Sequence, residues 1–541
     1  MSHDAALPIF TRSHYRHTGL RIVFGVAASF TAKCLGFVRV QQIASLLGAS
    51  YYADVLLLTF QLVWLLETVL IASAVAPTLI SVIYKVEART GSEAAGRLYL
   101  HAAFWCAAAS AAYGALLLLF SEQIVSVVAP GFDDQARGLF RDLMLVSFAT
   151  PLCLTVSQFF SLVNRLTDNS VWYSTPQIIT NVVALGGLVL GYHTYGLLGG
   201  VIGMMAGLTA GAVGVLFLQR AVIPRHTASM LWRTLKSKKL ALARSSTDGV
   251  FWKSTAALVC AALVSELYVY ADFYFASRAG PGGIGLISYA SRLATLTNML
   301  VVAAPFVVIE TRWARSLAHQ PDQAWSNTIV PDAMSLLSLL AAPVAVLIFF
   351  NSEVTSLVYY GGKFSPEEAS TLRSLVRAYG FSVIGMSLSV IMARALVLQG
   401  RAGWLMRISL FTLPAKVVLS ALLVPRYGLM GLPIATMGCF AIQATAYLLL
   451  LSRDAPAHRA MITGVGRVAF TFAAVFALGY GLSRLQIDHL LWVVVVAGLV
   501  GVFNLGLGVA VGFSYSRLAV RAFSESRQVI DRAVRRVRGK P

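Results

Sequence analysis

The chain has 541 residues, of which 57% are hydrophobic and only 12% charged, and it carries a formal net charge of +20. A soluble domain has about 25% charged residues, so this composition, with a mean hydropathy of +0.74, excludes an ordinary soluble protein and specifies an all-α polytopic membrane protein. So basic a balance would suggest nucleic acid in a soluble chain, but here the cations lie between apolar segments, and no nucleic-acid partner is predicted.

Each crossing needs ~20 mainly apolar residues. Fourteen spans are predicted, at 20–47, 52–84, 98–128, 139–163, 172–193, 197–219, 250–277, 284–311, 328–359, 370–399, 404–424, 429–451, 461–483 and 489–514. No short apolar region with a small-residue cleavage site follows the polar N-terminus, so no removable signal peptide is predicted. Basic residues concentrate on alternate turns, from Arg12, Arg16 and Arg21 through the loop Arg220–Arg244 to the tail Arg517–Lys540. By the positive-inside rule both termini are cytoplasmic, which an even number of spans requires. The tail reads as an amphipathic segment lying along the inner leaflet, against anionic phospholipid headgroups.

The chain also repeats itself. LVNRLTDNSVWYSTPQIITNVVALGGLVLGYHTYGLLGG begins at Leu162 and LVLQGRAGWLMRISLFTLPAKVVLSALLVPRYGLMG at Leu396, each running through a basic turn and a long helix into Tyr-Gly-Leu-x-Gly. Two pseudo-symmetric six-helix bundles follow, residues 1–219 and 250–453, joined by a basic cytoplasmic linker at 220–249. Two further helices occupy 454–515, and a basic tail 516–541. Repeats of this kind place a substrate near the midplane between the halves and transport it by rocking.

Ionisable residues inside the spans mark the candidate site. They are Lys33, Arg39, Asp54 and Glu67 in spans 1 and 2, Glu266 and Asp272 in span 7, Arg292 and Glu310 in span 8, Arg394 in span 10 and Lys416 in span 11. A charge at membrane depth costs ~3 kcal/mol on insertion scales unless it meets protein or water, so these imply a wet, charged cavity. Two readings stand side by side. Either the arginines of both halves clamp a phosphate, which their planar fork suits, or the charges lock helices in pairs such as Arg39 with Asp54 and Arg292 with Glu310. Gln61, Gln158 and Asn298 are candidate sugar contacts. The five cysteines lie singly in apolar segments, so neither a disulfide framework nor a metal site is predicted. The longest internal loop is short and basic without a DxD, so no enzyme and no cofactor are predicted.

The run LGFVR…LLGASYYAD…PTLI (from Leu35 to Ile80) resembles the start of the MurJ/MviN family, the bacterial lipid II flippases of the MOP superfamily. VAPGFDD at Val128, DFYFAS at Asp272, GGIGLISYASRL at Gly282 and YYGGKFS at Tyr359 follow in the family's order. The resemblance implies two six-helix lobes around a cationic cavity, alternating access driven by an ion gradient or the membrane potential, and a groove for the lipid tail in the last two helices. Lys33 stands where the family has an arginine, Arg39 matches the arginine of its GF-x-R motif, Asp54 its first-loop aspartate and Arg292 the arginine of its YADRL motif. Departures are Val40 for the acidic residue after GF-x-R, LVWLLET for LPNLLRR, which puts Glu67 and Thr68 in place of two cations, and Arg394 in ARALV where proline is expected. These point to a polyprenyl-pyrophosphate-linked glycan, either lipid II or an exopolysaccharide or O-antigen-type precursor, handed on to cell-wall or polysaccharide assembly proteins. Family members can carry a sodium site between spans 7 and 11, and the Lys416 ammonium would replace that ion by pairing with Asp272 or Glu266; the alternative is a snorkelling lysine. A multidrug antiporter would want a carboxylate-dominated cavity, against which Arg39, Arg292 and Arg394 argue. A non-transporting assembly scaffold stays open.

Overall fold

The computed structural model describes residues 18–166, 170–222, 246–303, 321–359, 363–398, 402–451, 455–485 and 490–513, with a few positions between 309 and 317. The side chain of Lys33, Glu310, most of the predicted linker and the basic tail lie outside the described residues.

All regular structure among the described residues is helical. The first part comprises α1 (Thr18–Leu47), α2 (Tyr51–Leu66), a π-helical segment (Glu67–Val75) and α3 (Ala76–Thr90). It continues with α4 (Ser92–Leu119), α5 (Ser121–Val128), α6 (Asp134–Ser147), α7 (Thr150–Leu166) and α8 (Ser170–Val222). Beyond the linker come α9 (Ser246–Ser277), α10 (Gly283–Asn298), α11 (Val330–Leu339), α12 (Ala341–Phe349) and α13 (Asn351–Val358). The series closes with α14 (Pro366–Leu398), α15 (Ala402–Tyr427), α16 (Gly431–Leu451), α17 (Ala455–Ser483) and α18 (Leu490–Val511).

Local chemistry sets several boundaries. The Ser50 hydroxyl caps α2 by accepting the Ala53 amide, and Asp133 caps α6 through the Ala136 amide at 2.8 Å. Ser365 and Glu368 satisfy each other's amides reciprocally at the start of α14, a capping box. Pro77 lacks the amide that would continue the ladder into α3, and the π segment ends two residues before it.

Nine helical stretches among the described residues are long and apolar enough to cross a membrane, and the α6–α7 pair, bent by 41°, makes a tenth. Two of the nine, 44 and 48 residues long, are each a pair of legs in the repeated region. The first breaks at Tyr195 (φ −131°) and Gly196 (φ 67°). The second breaks at Tyr427 (φ −119°) and Gly428 (φ 57°). The duplicated Tyr-Gly thus breaks a long helix in both halves, each time with glycine at positive φ. In the first pair the legs touch through glycine: a Cβ on Gly187 would lie 2.1 Å from the Gly203 carbonyl oxygen.

Contacts divide the chain into two compact units, residues 1–285 with 361–364 and residues 286–360 with 365–541. In the first, α1 and α7 pack on α8, and α9 packs on the π segment and α3. This unit's apolar core runs through Ile71–Val86, Leu98–Cys106, Phe159–Val163 and Phe251. Through these contacts α9 belongs to the first unit. In the second unit α16 packs on α14 and α15, while α11 and α12 pack on α17 and α18.

Candidate functional site

In the first unit, Arg39 is only 7% exposed. Its Nη1 donates to Asn181 Oδ1 of α8 at 2.7 Å, and Asn181 Nδ2 donates back to the Ala32 carbonyl of α1 at 3.3 Å. The guanidinium carbon lies 3.9 Å from the centroid of the Phe60 ring of α2. An ion stacked on an aromatic face in a desolvated site gains about 2 kcal/mol, so Arg39 is fixed in place by two neighbouring helices.

Asp54 is 1% exposed. Its two carboxylate oxygens accept the amides of Gly282 at 2.7 Å and Gly285 at 2.6 Å. A carboxylate at a helix start satisfies unpaired amides and opposes the positive end of the helix dipole, so Asp54 of α2 caps α10. Gly282 is required there: its φ is +87°, and a Cβ would lie 2.3 Å from the Ala49 carbonyl oxygen. With both oxygens taken by amides, the expected pairing of Arg39 with Asp54 is not made, and Asn181 takes that place.

Glu67 is 6% exposed and opens the π segment. Six residues earlier, Gln61 Nε2 donates to Glu266 Oε2 of α9 at 2.7 Å. The backbone here accepts two phenols: Tyr270 donates to the Gln61 carbonyl at 3.2 Å and Tyr113 to the Leu62 carbonyl at 2.9 Å. Gln61, expected to face sugar, is thus engaged with Glu266, and α2, α4 and α9 are tied together beside the π segment. Asp272 is half-buried on the same helix as Glu266.

In the second unit Arg292 of α10 and Arg394 of α14 are exposed. Lys416 of α15 is 1% exposed, so the snorkelling reading does not hold. Its ammonium donates to the Leu432 carbonyl at 3.2 Å and to the Thr436 hydroxyl, both on α16. The structure therefore groups Arg39, Asp54, Gln61 and Glu266 in one unit and Arg292, Arg394 and Lys416 in the other. Asn181, Phe60, Tyr113 and Tyr270 are partners that sequence reading missed. Asn181, a lone amide within the apolar run IITNVVALGG, carried a signal, since a polar group at such depth needs a partner.

The family model for the lipid II flippase MurJ matches residues 43–501. A probable lipid II flippase MurJ of Buchnera aphidicola is 18% identical over 71% of this chain and 73% of its own length. Its counterpart in Aquifex aeolicus is 24% identical over 51% of this chain and 52% of its own. Among solved structures, a lipid II flippase MurJ in an inward closed conformation superposes with a TM-score of 0.69 at 16% identity, covering 92% of this chain and all of that one. An inward-facing multidrug MATE transporter of the MOP superfamily gives 0.60 at 13% identity over 82% of this chain and 99% of its own. The shared fold accommodates flippases and drug exporters alike, but the family match runs through most of the helices, and on that ground the chain is a multi-pass membrane protein belonging to the lipid II flippase MurJ family.

Proposed function

We propose that the protein carries a polyprenyl-pyrophosphate-linked glycan, lipid II or a related cell-wall or exopolysaccharide precursor, across the bacterial cytoplasmic membrane by alternating access. The family match over residues 43–501 carries this reading, and the intramembrane guanidiniums supply its chemistry. Arg39 in one half and Arg292 and Arg394 in the other serve as ligands of the diphosphate, whose oxygens suit arginine's fork. No bond is made or broken, so the protein works as a transporter and not an enzyme, driven by an ion gradient or the membrane potential. The buried carboxylate of Glu67, where the family has a cation, favours a headgroup other than that of lipid II and keeps an exopolysaccharide precursor as the second reading. The test is depletion with rescue. Arg39→Ala and Arg292→Ala should each abolish outward movement of one labelled lipid-linked glycan while leaving membrane insertion intact. Full rescue by either variant removes the proposal.

We propose that the Lys416 ammonium takes the place of a coupling metal cation. It rests on a carbonyl and a hydroxyl oxygen, the hard oxygen donors that a metal cation would otherwise take. Transport in proteoliposomes should then run equally with sodium or potassium outside, and a strict sodium requirement overturns this assignment.

A further inference from the structure

In the second unit a cavity of about 260 Å³ opens where the π-helical segment Trp325–Ile329 and α11 meet the start of α17 and the end of α18. We propose that it holds the phosphate headgroup of an anionic diacyl phospholipid, with Arg467 as the charge that recognises it.

The walls are of two kinds. Val330, Met334 and Phe513 make an apolar side, and Ser326, Thr463 and Arg467 a polar one. The frame is fixed by close packing. Gly464 lets α17 approach α11 so nearly that a Cβ there would lie 2.6 Å from Met334 Cγ. On the other flank Asn504 of α18 donates to the Ser338 and Leu339 carbonyls, at 3.2 and 3.3 Å, where α11 breaks. The chain leaves α18 at Gly512 (φ 96°), and Phe513, 4% exposed, returns into the wall.

Arg467 is exposed, and none of the described residues is hydrogen-bonded or ion-paired to its guanidinium. The nearby carboxylate of Asp332 is already engaged, accepting from Trp313 Nε1 at 3.1 Å and facing Arg312 at 3.4 Å. Around Arg467 the α17 surface is apolar and open: Ile462, Val465 and Phe470 are 60, 48 and 58% exposed. That is a surface made for acyl chains. Arg467 lies six residues into the candidate span Met461–Ser483, roughly 9 Å along the helix axis at 1.5 Å per residue, within snorkelling reach of the phosphate layer. A cation at that depth on a lipid-facing helix, beside two hydroxyls and a cavity, is a headgroup slot.

Size and charge select the occupant. The volume lies below the usual range of ~300–1,000 Å³ for a small-molecule pocket, which suits a phosphodiester and its glycerol rather than a pyrophosphate-linked glycan. One guanidinium matches one phosphodiester charge. The chain's own C-terminal residues 514–541 carry eight cations against two acids, a balance that a guanidinium does not attract.

The test titrates the full-length protein in mild detergent with phosphatidylglycerol or phosphatidylcholine of identical chains, read by native mass spectrometry. One phosphatidylglycerol should be retained about fivefold more tightly than phosphatidylcholine, whose choline cation cancels the net charge that attracts one arginine to an anionic headgroup. Arg467→Gln should erase the preference, and so should Gly464→Leu, which fills the cavity. Should the latter not fold, Ser326→Leu fills it from the other side. Arg484→Gln, at the far end of α17 where Arg484 engages Tyr480, should leave the preference unchanged. Equal retention of the two lipids, an undiminished preference in Arg467→Gln, displacement by millimolar inorganic phosphate or stronger retention of a polyprenyl phosphate would each overturn the proposal.

Discussion

At the residue scale, the first unit shows how a membrane interior tolerates an arginine. Arg39 is given an amide oxygen 142 positions away and an aromatic face, so little of its charge meets hydrocarbon. Asn181→Leu keeps the volume and removes the acceptor, leaving a buried donor unmatched at a cost of about 1–3 kcal/mol. Transport in the rescue assay should fall about tenfold, because Arg39 loses the anchor that aims it, while membrane insertion is retained. Asn181→Asp, which keeps an acceptor, should recover most of the loss. Asp54→Asn tests the neighbouring device: an amide has one accepting oxygen where the carboxylate has two, so one of the Gly282 and Gly285 amides goes unmatched. The melting temperature in detergent should drop by the equivalent of about 1–3 kcal/mol, and an unchanged value rules out the cap. The sequence singled out Arg39 and Asp54 because charge inside an apolar run is conspicuous. It hid what they bind, because Asn181 and Gly282 are brought to them by helix packing, and no local pattern encodes a contact over 142 or 228 residues.

At the scale of elements, the repeated Tyr-Gly joints give a sharper test of the duplication than sequence similarity does. Gly196 and Gly428 both have positive φ, and nothing lies within 4 Å of a Cβ added at either. The cost of alanine is therefore backbone strain alone, roughly 1–2 kcal/mol at each joint. Gly196→Ala and Gly428→Ala should lower thermal stability equally, and a difference well beyond that range would mean that the two joints are not the same structure. Gly187→Leu should be worse than either, since its Cβ meets a carbonyl of the opposite leg. Hydropathy located the helices well but not their breaks. The predicted span 328–359 is α11, α12 and α13, interrupted at Leu340 and Phe350; its apolar run passes through the first break unaltered, and the second falls where Asn351, Ser352 and Glu353 follow. Asn504, on a helix outside the duplication, donates to carbonyls just before Leu340, and no residue within the run announces it. The π segment at Glu67 escaped for the same reason, because a widened turn leaves hydrophobic composition unchanged.

For the whole molecule, the distribution of cations makes a claim about orientation that packing does not. The +20 charge is gathered on alternate turns, and the positive-inside rule reads loop cations close to span ends as cytoplasmic. The prediction places both termini, the linker 220–249 and the turns near Arg89, Arg401 and Arg453 on the cytoplasmic side. The turns near Asp133, Lys363 and Arg484 then face the other way. Each set can be probed without disturbing a packed helix. Single cysteines at Ser2, Ser237, Ser452 and Ser526, in a background with the five native cysteines replaced, should resist a membrane-impermeant maleimide in intact spheroplasts and react once the membrane is opened. Cysteines at Gln135, Glu367 and Gln486 should react at once. The sites alternate along the chain, so a single span miscounted between two of them would invert every site that follows. Labelling of Ser526 from outside with Ser2 protected would mean an odd number of crossings, and with it the two-lobed arrangement with two added helices would have to be redrawn.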